Sequence, residues 1–433
     1  MANEPLTVLF MPESAYGPTN NCIGIGTVLR RRGHRVVFAA ESSWRGRLAP
    51  YGFEERMVDL APPAADGVEQ DAGQFWKDFV RETAPVFRRP TVEQLAGFVQ
   101  PTFQALVDGA MYCEAGLREI VANVRPDVVV EDNVVSFPAL MTSGRPWVRI
   151  VSCQPLEIRG GAIPPPYSGL PASSSATWVP FREEFDRTHR ESWAAFNAWV
   201  QEQGAPPLPE LEFMHTSPDL NLYVYPEAID YTDARPLDSS WHRLDSSVRG
   251  VPTDDGGFDL SMLERNDDVR LVYLSLGSLG SADVDLMRRL IELLAGLPYR
   301  FVVSMGPCHA ELTLADNMVG AEFLPQTAIL PLVDAVITHG GNNTTTEALH
   351  FGKPMVVLPL FWDQYDNAQR LHERGLGIRL GTYTCTSDEV AAALDRVTSD
   401  VVLRTRLDGV SREIRARDGV SRAADLIERL GLG

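Results

Sequence analysis

Short apolar runs alternate with amphipathic, helix-like segments along the first half of this chain, and glycine, proline and polar residues separate them. Residues 8–11 and 35–40 are apolar runs of strand length, and the segment between them predicts a polar loop and then a helix over about 22–32. Further strand-like runs at 128–130 and 146–151 continue this rhythm. Strands that alternate with helices are typical of a parallel sheet covered by helices, so the pattern predicts an α/β fold.

The second half repeats the pattern. Apolar runs of strand length recur there, at 271–278, 301–305, 336–338 and 355–360. A polar stretch at 233–266, rich in Asp, Ser and Gly, lies between the two halves and predicts their connection. A chain of 433 residues is also longer than one ordinary domain. We therefore expect a first α/β domain, a linker, a second α/β domain and a terminal helix, at 1–240, 241–268, 269–410 and 411–433.

Two segments of the first half, 60–120 and 155–215, interrupt this rhythm. They contain a Pro/Gly/Ser-rich tract and a set of clustered aromatic residues: Phe75, Trp76, Phe79, Phe87, Phe98, Phe103 and Tyr112. Insertions between regular units are usual places for a variable binding site. The alternative is that these aromatic side chains pack in the core of helices.

The most informative stretch runs from His339 to Gly377. A β-branched strand end is followed by Gly-Gly-Asn-Asn turn residues, and Thr344 and Glu347 have the spacing of a capping box. The start of a helix directly after a strand presents unbonded backbone N–H groups and the positive end of the helix dipole, which favour a phosphate. The loop at 361–364 follows the next strand, so we expect it on the same carboxyl edge, where open α/β sheets bind ligands.

These motifs resemble the signature of nucleotide-sugar-dependent glycosyltransferases of the GT-B type. The matching segments stand in the family's order: Phe-Leu-Pro-Gln at 323–326, the His-to-Glu motif at 339–347, Gly-Lys-Pro at 352–354, Asp-Gln at 363–364 and Asn-Ala at 367–368. The resemblance implies two Rossmann-like domains that face a cleft, with the acceptor in the first and the nucleotide sugar in the second. It also implies transfer of a hexose, with inversion, from a UDP- or TDP-sugar to a small natural product or antibiotic.

The resemblance assigns donor-binding roles to a set of residues in the second half: Ser278, Phe323, Gln326, His339, Gly341, Asn343, Thr344, Glu347, Asp363 and Gln364. In the family, Phe323 takes the base-stacking position, Gln326 contacts the nucleoside, and Glu347 accepts hydrogen bonds from the ribose hydroxyls. Two alternatives remain open from the residues themselves. Phe323 can be a core side chain after a strand, and Glu347 can cap the backbone of its own helix.

The other assigned residues face the diphosphate and the sugar. His339 matches the family's diphosphate-binding histidine, which donates a hydrogen bond to a phosphate oxygen, more strongly when it is protonated. Ser278 resembles a phosphate-loop serine, and residues 343–344 stand at the predicted helix start. Asp363 and Gln364 resemble the pair that binds the sugar hydroxyls; the alternative is a solvated pair in a loop.

The chain departs from the family at the catalytic base. Members usually carry a histidine in the first loop of the first domain, but loop 12–21 has none, and Pro18 stands at its place. The aspartate that would orient this histidine is retained as Asp132. A buried carboxylate with a raised pKa can take the acceptor proton, so Asp132 is the preferred base and Glu13 the second candidate. Several alternatives stay open: an N-cap role for Asp132, an acceptor that needs no base, a C-glycosyltransferase, a silent sugar-nucleotide binder and an epimerase.

The charge and hydropathy of the chain argue against several classes of protein. A net charge of −19 argues against a nucleic-acid backbone or an anionic membrane as the partner. No apolar segment approaches the ~20 residues of a membrane span, and no signal peptide is evident. Five scattered cysteines suit reduced thiols, so we expect a cytoplasmic protein.

The sequence also predicts that the protein needs no metal. It shows no P-loop and no Cys/His ligand spacing. Asp283 and Asp285 resemble the metal-binding pair of another glycosyltransferase class, but they stand at a predicted helix start, where acidic residues suit the dipole. We therefore expect no cofactor besides the nucleotide-sugar co-substrate. The sequence leaves the oligomeric state open.

Overall fold

The structure is a computed structural model that describes residues 4–62, 82–249, 258–263 and 269–433. The first sheet contains seven strands: β1 (Thr7–Pro12), β2 (Arg35–Glu41), β3 (Glu54–Val58), β4 (Val128–Asp132), β5 (Trp147–Val151), β6 (Leu220–Tyr223) and β7 (Trp241–Arg243). Their order is β3-β2-β1-β4-β5-β6-β7, with parallel pairing throughout. The chain starts in the middle and winds outwards twice, so a crevice opens between β1 and β4 at their carboxyl ends.

The second sheet contains six strands: β8 (Arg270–Ser275), β9 (Tyr299–Ser304), β10 (Met318–Ala321), β11 (Ala335–Thr338), β12 (Met355–Val357) and β13 (Gly377–Arg379). Their order is β10-β9-β8-β11-β12-β13, again with parallel pairing. The direction of winding reverses between β8 and β11. A second crevice therefore lies at the carboxyl ends of these two strands, where the segment from His339 to Gly377 begins.

Helices cover both sheets: α1 (Tyr16–Arg31), α2 (Gln100–Val124), α3 (Trp178–Glu202), α4 (Val284–Leu294), α5 (Asn342–His350), α6 (Gln364–Glu373), α7 (Ser387–Ser399), α8 (Val401–Arg417) and α9 (Gly419–Leu432). Strands β4 and β11 are buried along their whole length, as strands covered on both faces are. Asp283 accepts a hydrogen bond from the Leu286 N–H as the N-cap of α4. This confirms the helix start predicted for the Asp283–Asp285 pair.

Helix α1 begins at Tyr16, well before the predicted start at about residue 22. Its first turns contain Thr19, Asn20 and Asn21, whose polarity indicated a loop, yet all three are buried. The Thr19 hydroxyl donates to the carbonyl of Glu13 at 3.1 Å, so its polar group is satisfied inside the structure. Tertiary contacts therefore override the local preference of these residues for a loop.

Other predicted bounds also differ from the structure. The apolar run at 355–360 is a strand only over its first half. Leu358 and Leu360 are apolar because they are buried in the loop that leaves the sheet. The terminal segment is two helices rather than one. Asp418 breaks them with a φ of 43° and caps α9 by accepting a hydrogen bond from the Ser421 N–H. Strand β7 extends the first sheet into residues 241–268, and we retain the predicted division into domains as a proposal.

The clustered aromatic residues of the first half divide into two groups. Phe87, Phe98 and Phe103 are buried, which supports the alternative that they are core residues, and their rings contact Phe361 and Trp362 of the second domain. Tyr112 on α2 is exposed. The remaining residues, at positions 75, 76 and 79, lie outside the described residues.

Helix α9 returns to the first domain, although it follows the second domain in the chain. Ala423 and Ile427 are buried in the apolar cluster formed by the first sheet and α1. At the edge of this contact, the Arg32 guanidinium of the loop after α1 forms an ion pair with Asp425 at 2.7 Å. The terminal helix is therefore a structural part of the first domain.

The carboxyl ends of the two sheets face each other across a cleft, and hydrogen bonds bridge its two sides. Asn342, at the start of α5, donates to the main-chain carbonyls of Ser152 and Val224. On α6, the Asp366 carboxylate accepts hydrogen bonds from the N–H groups of Tyr167 and Gly169 at 2.5 and 2.7 Å. These bonds join the segments that follow β5 and β6 to the segments that follow β11 and β12.

Candidate active site

His339 follows strand β11, and its ring is held between two glycines. A β-carbon at Gly277 would lie 2.9 Å from the ring, and one at Gly341 would lie 2.5 Å from Nε2. Gly277 also has a φ of +71°, a conformation that favours glycine. Burial lowers the pKa of His339 to about 4, so the ring is neutral at pH 7. It can donate one hydrogen bond to a phosphate, without the added strength that protonation would give.

We expect Gly341→Ala to weaken diphosphate binding by displacing the His339 ring. The φ of Gly341 is −59°, which alanine adopts without strain, so the effect should come from the 2.5 Å approach of the new methyl group to Nε2. The affinity for UDP, measured by calorimetry, should fall by about tenfold or more, the worth of a hydrogen bond to a charged group. In a His339→Ala background the same substitution should change nothing. An undiminished loss there would contradict this account.

Glu347 lies in a buried network and does not form a capping box. Helix α5 begins at Asn342, so Thr344 is inside the helix and is not its N-cap. Glu347 Oε2 accepts a hydrogen bond from Gln326 Nε2 at 2.6 Å, and Oε1 accepts one from Arg249 Nη1 at 2.8 Å. The capping alternative is therefore wrong. The structure brings together Glu347 and Gln326, the residues that the resemblance assigns to the ribose and the nucleoside.

Sequence reasoning missed Arg249. This residue lies in the polar segment that predicted only a connection, and its ion pair with Glu347 spans 98 positions of the chain. No local motif marks such a partner, because the two residues lie far apart in the chain. The pair occupies one carboxylate oxygen of Glu347, which leaves the remaining acceptor capacity of that group for a ligand.

Phe323 follows β10, and 48% of its surface is exposed, so the core alternative is wrong. Its ring lies 6.3 Å from the ring of Tyr16 on the opposite side of the cleft. Tyr16 in turn packs 5.2 Å from the ring of Trp44. An exposed aromatic face at the cleft is suited to stacking on a nucleobase. Tyr16 and Trp44 were not identified from the sequence, because no motif relates the first domain to Phe323.

Asp363 and Gln364 are buried at the start of α6, so the solvated-loop alternative is wrong. Asp363 Oδ2 accepts hydrogen bonds from the Asn342 N–H at 2.9 Å and from Asn367 Nδ2 at 3.0 Å. Gln364 Oε1 accepts one from the Leu360 N–H at 3.0 Å. Among the described residues, Asp363 Oδ1 and Gln364 Nε2 have no hydrogen-bond partner. Each side chain therefore fixes a turn with one atom and retains another for a ligand.

The remaining donor-site residues line the same edge of the sheet. Ser278 and Asn343 are partly exposed, in the turn after β8 and at the start of α5. Thr344 is buried, and its hydroxyl donates to Gln326 Oε1 at 3.4 Å. The structure therefore brings the predicted donor residues to the loops that follow β8, β10, β11 and β12.

On the opposite side of the cleft, Asp132 ends strand β4 with its carboxylate buried, only 3% of the residue being exposed. Both carboxylate oxygens lie within hydrogen-bond distance of the Ser152 hydroxyl, at 2.8 and 3.0 Å. The pKa of Asp132 is raised to about 7, mainly by burial, and the charge of the neighbouring Glu13 contributes to this rise. The next helical turn begins after Phe137, so the N-cap alternative for Asp132 is wrong.

Two further acids stand close to Asp132. Glu13 follows β1, and its N–H donates to the Asp132 carbonyl at 2.8 Å, while burial raises the pKa of its carboxyl to about 7. Glu157, in the turn after β5, was missed by sequence reasoning and carries no motif. Burial, and then the charges of Asp363 and Asp132, raise its pKa well above the usual range. Glu157 therefore interacts electrostatically with Asp132 of its own domain and, across the cleft, with Asp363 of the second domain.

Within the described ranges, no group of three or more His, Cys, Asp or Glu side chains is arranged to hold a metal ion. Every helix there is too short or too polar to cross a membrane. All five cysteines lie in described residues, and none of them forms a disulfide.

Comparisons with known proteins agree with this geometry. Residues 290–426 match the family model for the C-terminal domain of erythromycin biosynthesis protein CIII-like proteins. Oleandomycin glycosyltransferase from Streptomyces antibioticus is 26% identical to this chain over 430 residues. The alignment covers 98% of this chain and 90% of that protein, so the similarity extends through both domains.

Solved structures with similar folds also span both domains. The glycotransferase of kitacinnamycin aligns with a TM-score of 0.67 and 24% identity, covering 98% of this chain and 99% of that one. Glycosyltransferase VinC in complex with dTDP aligns with a TM-score of 0.62 and 18% identity, covering 98% of this chain and 99% of that one. These similarities confirm the predicted α/β fold with two Rossmann-like domains of the GT-B type.

Proposed function

We infer that this chain, which belongs to the GT-B family of nucleotide-sugar-dependent glycosyltransferases, transfers a hexose from a UDP- or TDP-sugar to a small-molecule acceptor with inversion. The observation that carries the proposal is the meeting of two half-sites across the cleft. His339 and the Glu347 network stand on one side, and the acids Asp132 and Glu13, both with a raised pKa, stand on the other. The name of the oleandomycin relative and the dTDP bound to VinC support an antibiotic-like acceptor and a nucleoside diphosphate donor.

On the donor side, the nucleobase stacks on Phe323, and the ribose hydroxyls donate to Glu347. Arg249 and Gln326 hold this carboxylate in place through their hydrogen bonds, so its geometry is set before the donor arrives. The diphosphate accepts hydrogen bonds from the neutral His339 ring and from the N–H groups of Asn343 and Thr344 in the first turn of α5. The sugar hydroxyls bind Asp363 and Gln364 through the atoms that the turn does not use.

On the acceptor side, the hydroxyl oxygen attacks the anomeric carbon from the face opposite the diphosphate. The new carbon–oxygen bond forms as the bond to the diphosphate oxygen breaks, and the nucleoside diphosphate leaves with that electron pair. Asp132 takes the hydroxyl proton, which its raised pKa allows near neutral pH. Attack from the opposite face inverts the configuration. Fixed N–H donors stabilise the charge that develops on the leaving group.

The experiment that tests this function is incubation of the purified protein with a panel of UDP- and TDP-hexoses, with and without an acceptor library. Mass spectrometry should detect a glycosylated acceptor that forms only when donor and acceptor are both present. Nucleotide binding without any product would identify a silent binder. A product that resists acid hydrolysis would indicate a C-glycoside on an aromatic acceptor, and a changed donor without acceptor would indicate an epimerase.

We expect turnover to be independent of added metal. The diphosphate charge is met by His339 and helix N–H groups, and Asp283, the one acid of the Asp283–Asp285 pair that faces inwards, is engaged as the N-cap of α4. The initial rate with excess EDTA should equal the rate with Mg²⁺ or Mn²⁺. Activity that EDTA abolishes and either ion restores would contradict this prediction.

The domain assignment and location are part of the same proposal. Residues 1–240 bind the acceptor, 241–268 connect the domains, 269–410 bind the nucleotide sugar, and 411–433 form the terminal helical segment. The presence of five thiols, three of them buried, supports a reducing and therefore cytoplasmic environment.

A further inference from the structure

A cavity of about 160 Å³ lies in the first domain, next to the segment that follows β5. Its walls are mainly apolar and include Leu156, Phe185, Leu211 and the three prolines at 164–166. An apolar cavity of about 150 Å³ is large enough to bind benzene. This cavity therefore has room for one aromatic ring or a short side arm, but not for a whole macrocyclic acceptor.

Two arginines also line this apolar cavity, and they differ in how their charges are satisfied. Arg182 Nη2 donates to the carbonyls of Gly160 and Ile163, at 3.3 and 2.7 Å, and so holds the loop that forms one wall. The Arg159 guanidinium lies 4.7 Å over the ring of Phe185 and has no hydrogen bond or ion pair with any described residue. Of these two arginines, only Arg159 therefore lacks an oxygen partner among the described residues.

The acids closest to Arg159 do not supply the missing partner. Glu157 and Glu212 influence its pKa through charge alone, and burial is the larger effect, which lowers the pKa of Arg159. Burial also raises the pKa of Glu212, and the attraction of Arg159 does not cancel that effect. Arg159 is half-buried and its guanidinium has no anionic partner, and an incoming carboxylate would supply two parallel hydrogen bonds.

The segment that lines this cavity also carries one of the acids of the reaction centre. Leu156 lines its wall, and the next residue, Glu157, interacts electrostatically with Asp132 and Asp363. A molecule anchored at Arg159 would therefore lie beside the segment that carries Glu157. This arrangement suits an acceptor that has its anchor at one end and its reactive hydroxyl at the other.

We propose that this cavity is an acceptor subsite for a carboxylate carried on a ring or short arm, and that Arg159 selects for it. The inference rests on the proposed glycosyl transfer, because it assumes an acceptor that presents its hydroxyl to Asp132. It assigns the substrate class as acidic hydroxylated compounds. Their neutral esters retain the apolar contacts but lose the pair with Arg159.

The test compares an acid with its methyl ester, using 4-hydroxyphenylacetate and methyl 4-hydroxyphenylacetate as probes on the UDP-saturated protein. The acid should bind at least about tenfold more tightly than the ester by calorimetry, the worth of a hydrogen-bonded charge pair. Arg159→Gln should abolish this preference and leave the ester affinity unchanged. Arg187→Gln, on the exposed face of α3, is the matched control and should retain the preference.

Arg159→Lys keeps the charge without the planar fork and should retain part of the preference, which covers the case in which Arg159→Gln fails to fold. Equal affinities for acid and ester in the wild-type protein would overturn the inference, and so would an unchanged preference in Arg159→Gln. UDP and TDP affinities measured on the same samples keep the two proposals separate. Failure to bind either nucleotide would reject the proposed function, whereas transfer to neutral acceptors without an acid preference would reject only the subsite.

Discussion

Replacing Asp132 by asparagine should lower kcat by about 10²–10⁴-fold, the usual worth of general base catalysis. Asparagine has the same shape and can still accept a hydrogen bond from Ser152, but it cannot take a proton from the acceptor. The fold and the affinity for UDP should therefore be unchanged, which thermal unfolding and calorimetry can verify. Turnover at the wild-type rate would exclude Asp132 as the base.

Glu13→Gln is the matched control, since Glu13 is the second candidate base and its carboxyl pKa is also raised to about 7. It should lower kcat far less than Asp132→Asn does. If Glu13→Gln abolishes turnover while Asp132→Asn remains near wild type, the base is Glu13. The charge of Glu13 raises the pKa of Asp132, so the pair of variants is needed to assign the role.

The pH profile supplies an independent measure of the same base. A base acts in its ionised form, and burial raises the pKa of Asp132 to about 7. The value of kcat/KM should therefore be constant above about pH 7 and fall tenfold per pH unit below it. Glu13→Gln removes a neighbouring negative charge, so it should move this limb to lower pH. A profile that is flat from pH 5 to 8 would contradict a buried carboxylate base.

The second large effect is expected on the donor side, where Phe323→Ala and His339→Ala should both weaken UDP binding, for different reasons. Loss of the stacking face should cost about 1–3 kcal/mol. Loss of a hydrogen bond to the charged diphosphate should cost about 1.5–3 kcal/mol. Only Phe323→Ala should also weaken the binding of uridine, which has no phosphate. Calorimetric titration with UDP and with uridine separates the two contributions.

Tyr112→Ala provides the control for removing an exposed aromatic ring, because Tyr112 lies on α2 with a similar exposure of 46%. It should leave both affinities unchanged. If His339→Ala retains the wild-type affinity for UDP, the ring does not contact the diphosphate. If His339→Ala weakens the binding of uridine as strongly as the binding of UDP, the role of His339 is to support the fold of the site.

Much of the second domain could be predicted from its sequence, because local signals coincide there. Three features follow one another directly in the chain: strand β11, the two glycines after His339 and the start of α5. One motif therefore predicts the strand, the turn, the helix and the edge of the sheet where a ligand binds. Hydrophobic periodicity also predicted the alternation of strands and helices in both halves. Both signals depend on neighbours in the chain, which a single sequence displays directly.

The contacts that the sequence did not reveal join distant segments. Arg249 binds Glu347 across 98 positions of the chain. The pKa of Glu157 is raised because the fold buries this residue and brings it near the charges of Asp363 and Asp132. The same reason explains the wrong capping assignment for Glu347. Its spacing from Thr344 fits a capping box, but α5 begins earlier and the carboxylate is drawn into the interior by its distant partner.

The return of α9 to the first domain affects how the protein folds during its synthesis. Ala423 and Ile427 complete the apolar cluster around α1, so the first domain cannot finish its core before these residues leave the ribosome. While the second domain is being made, the nascent first half carries an uncovered apolar face. All strands of the second sheet are synthesised before α9. The domain that emerges first is therefore completed last, and the two halves reach their final state as one unit.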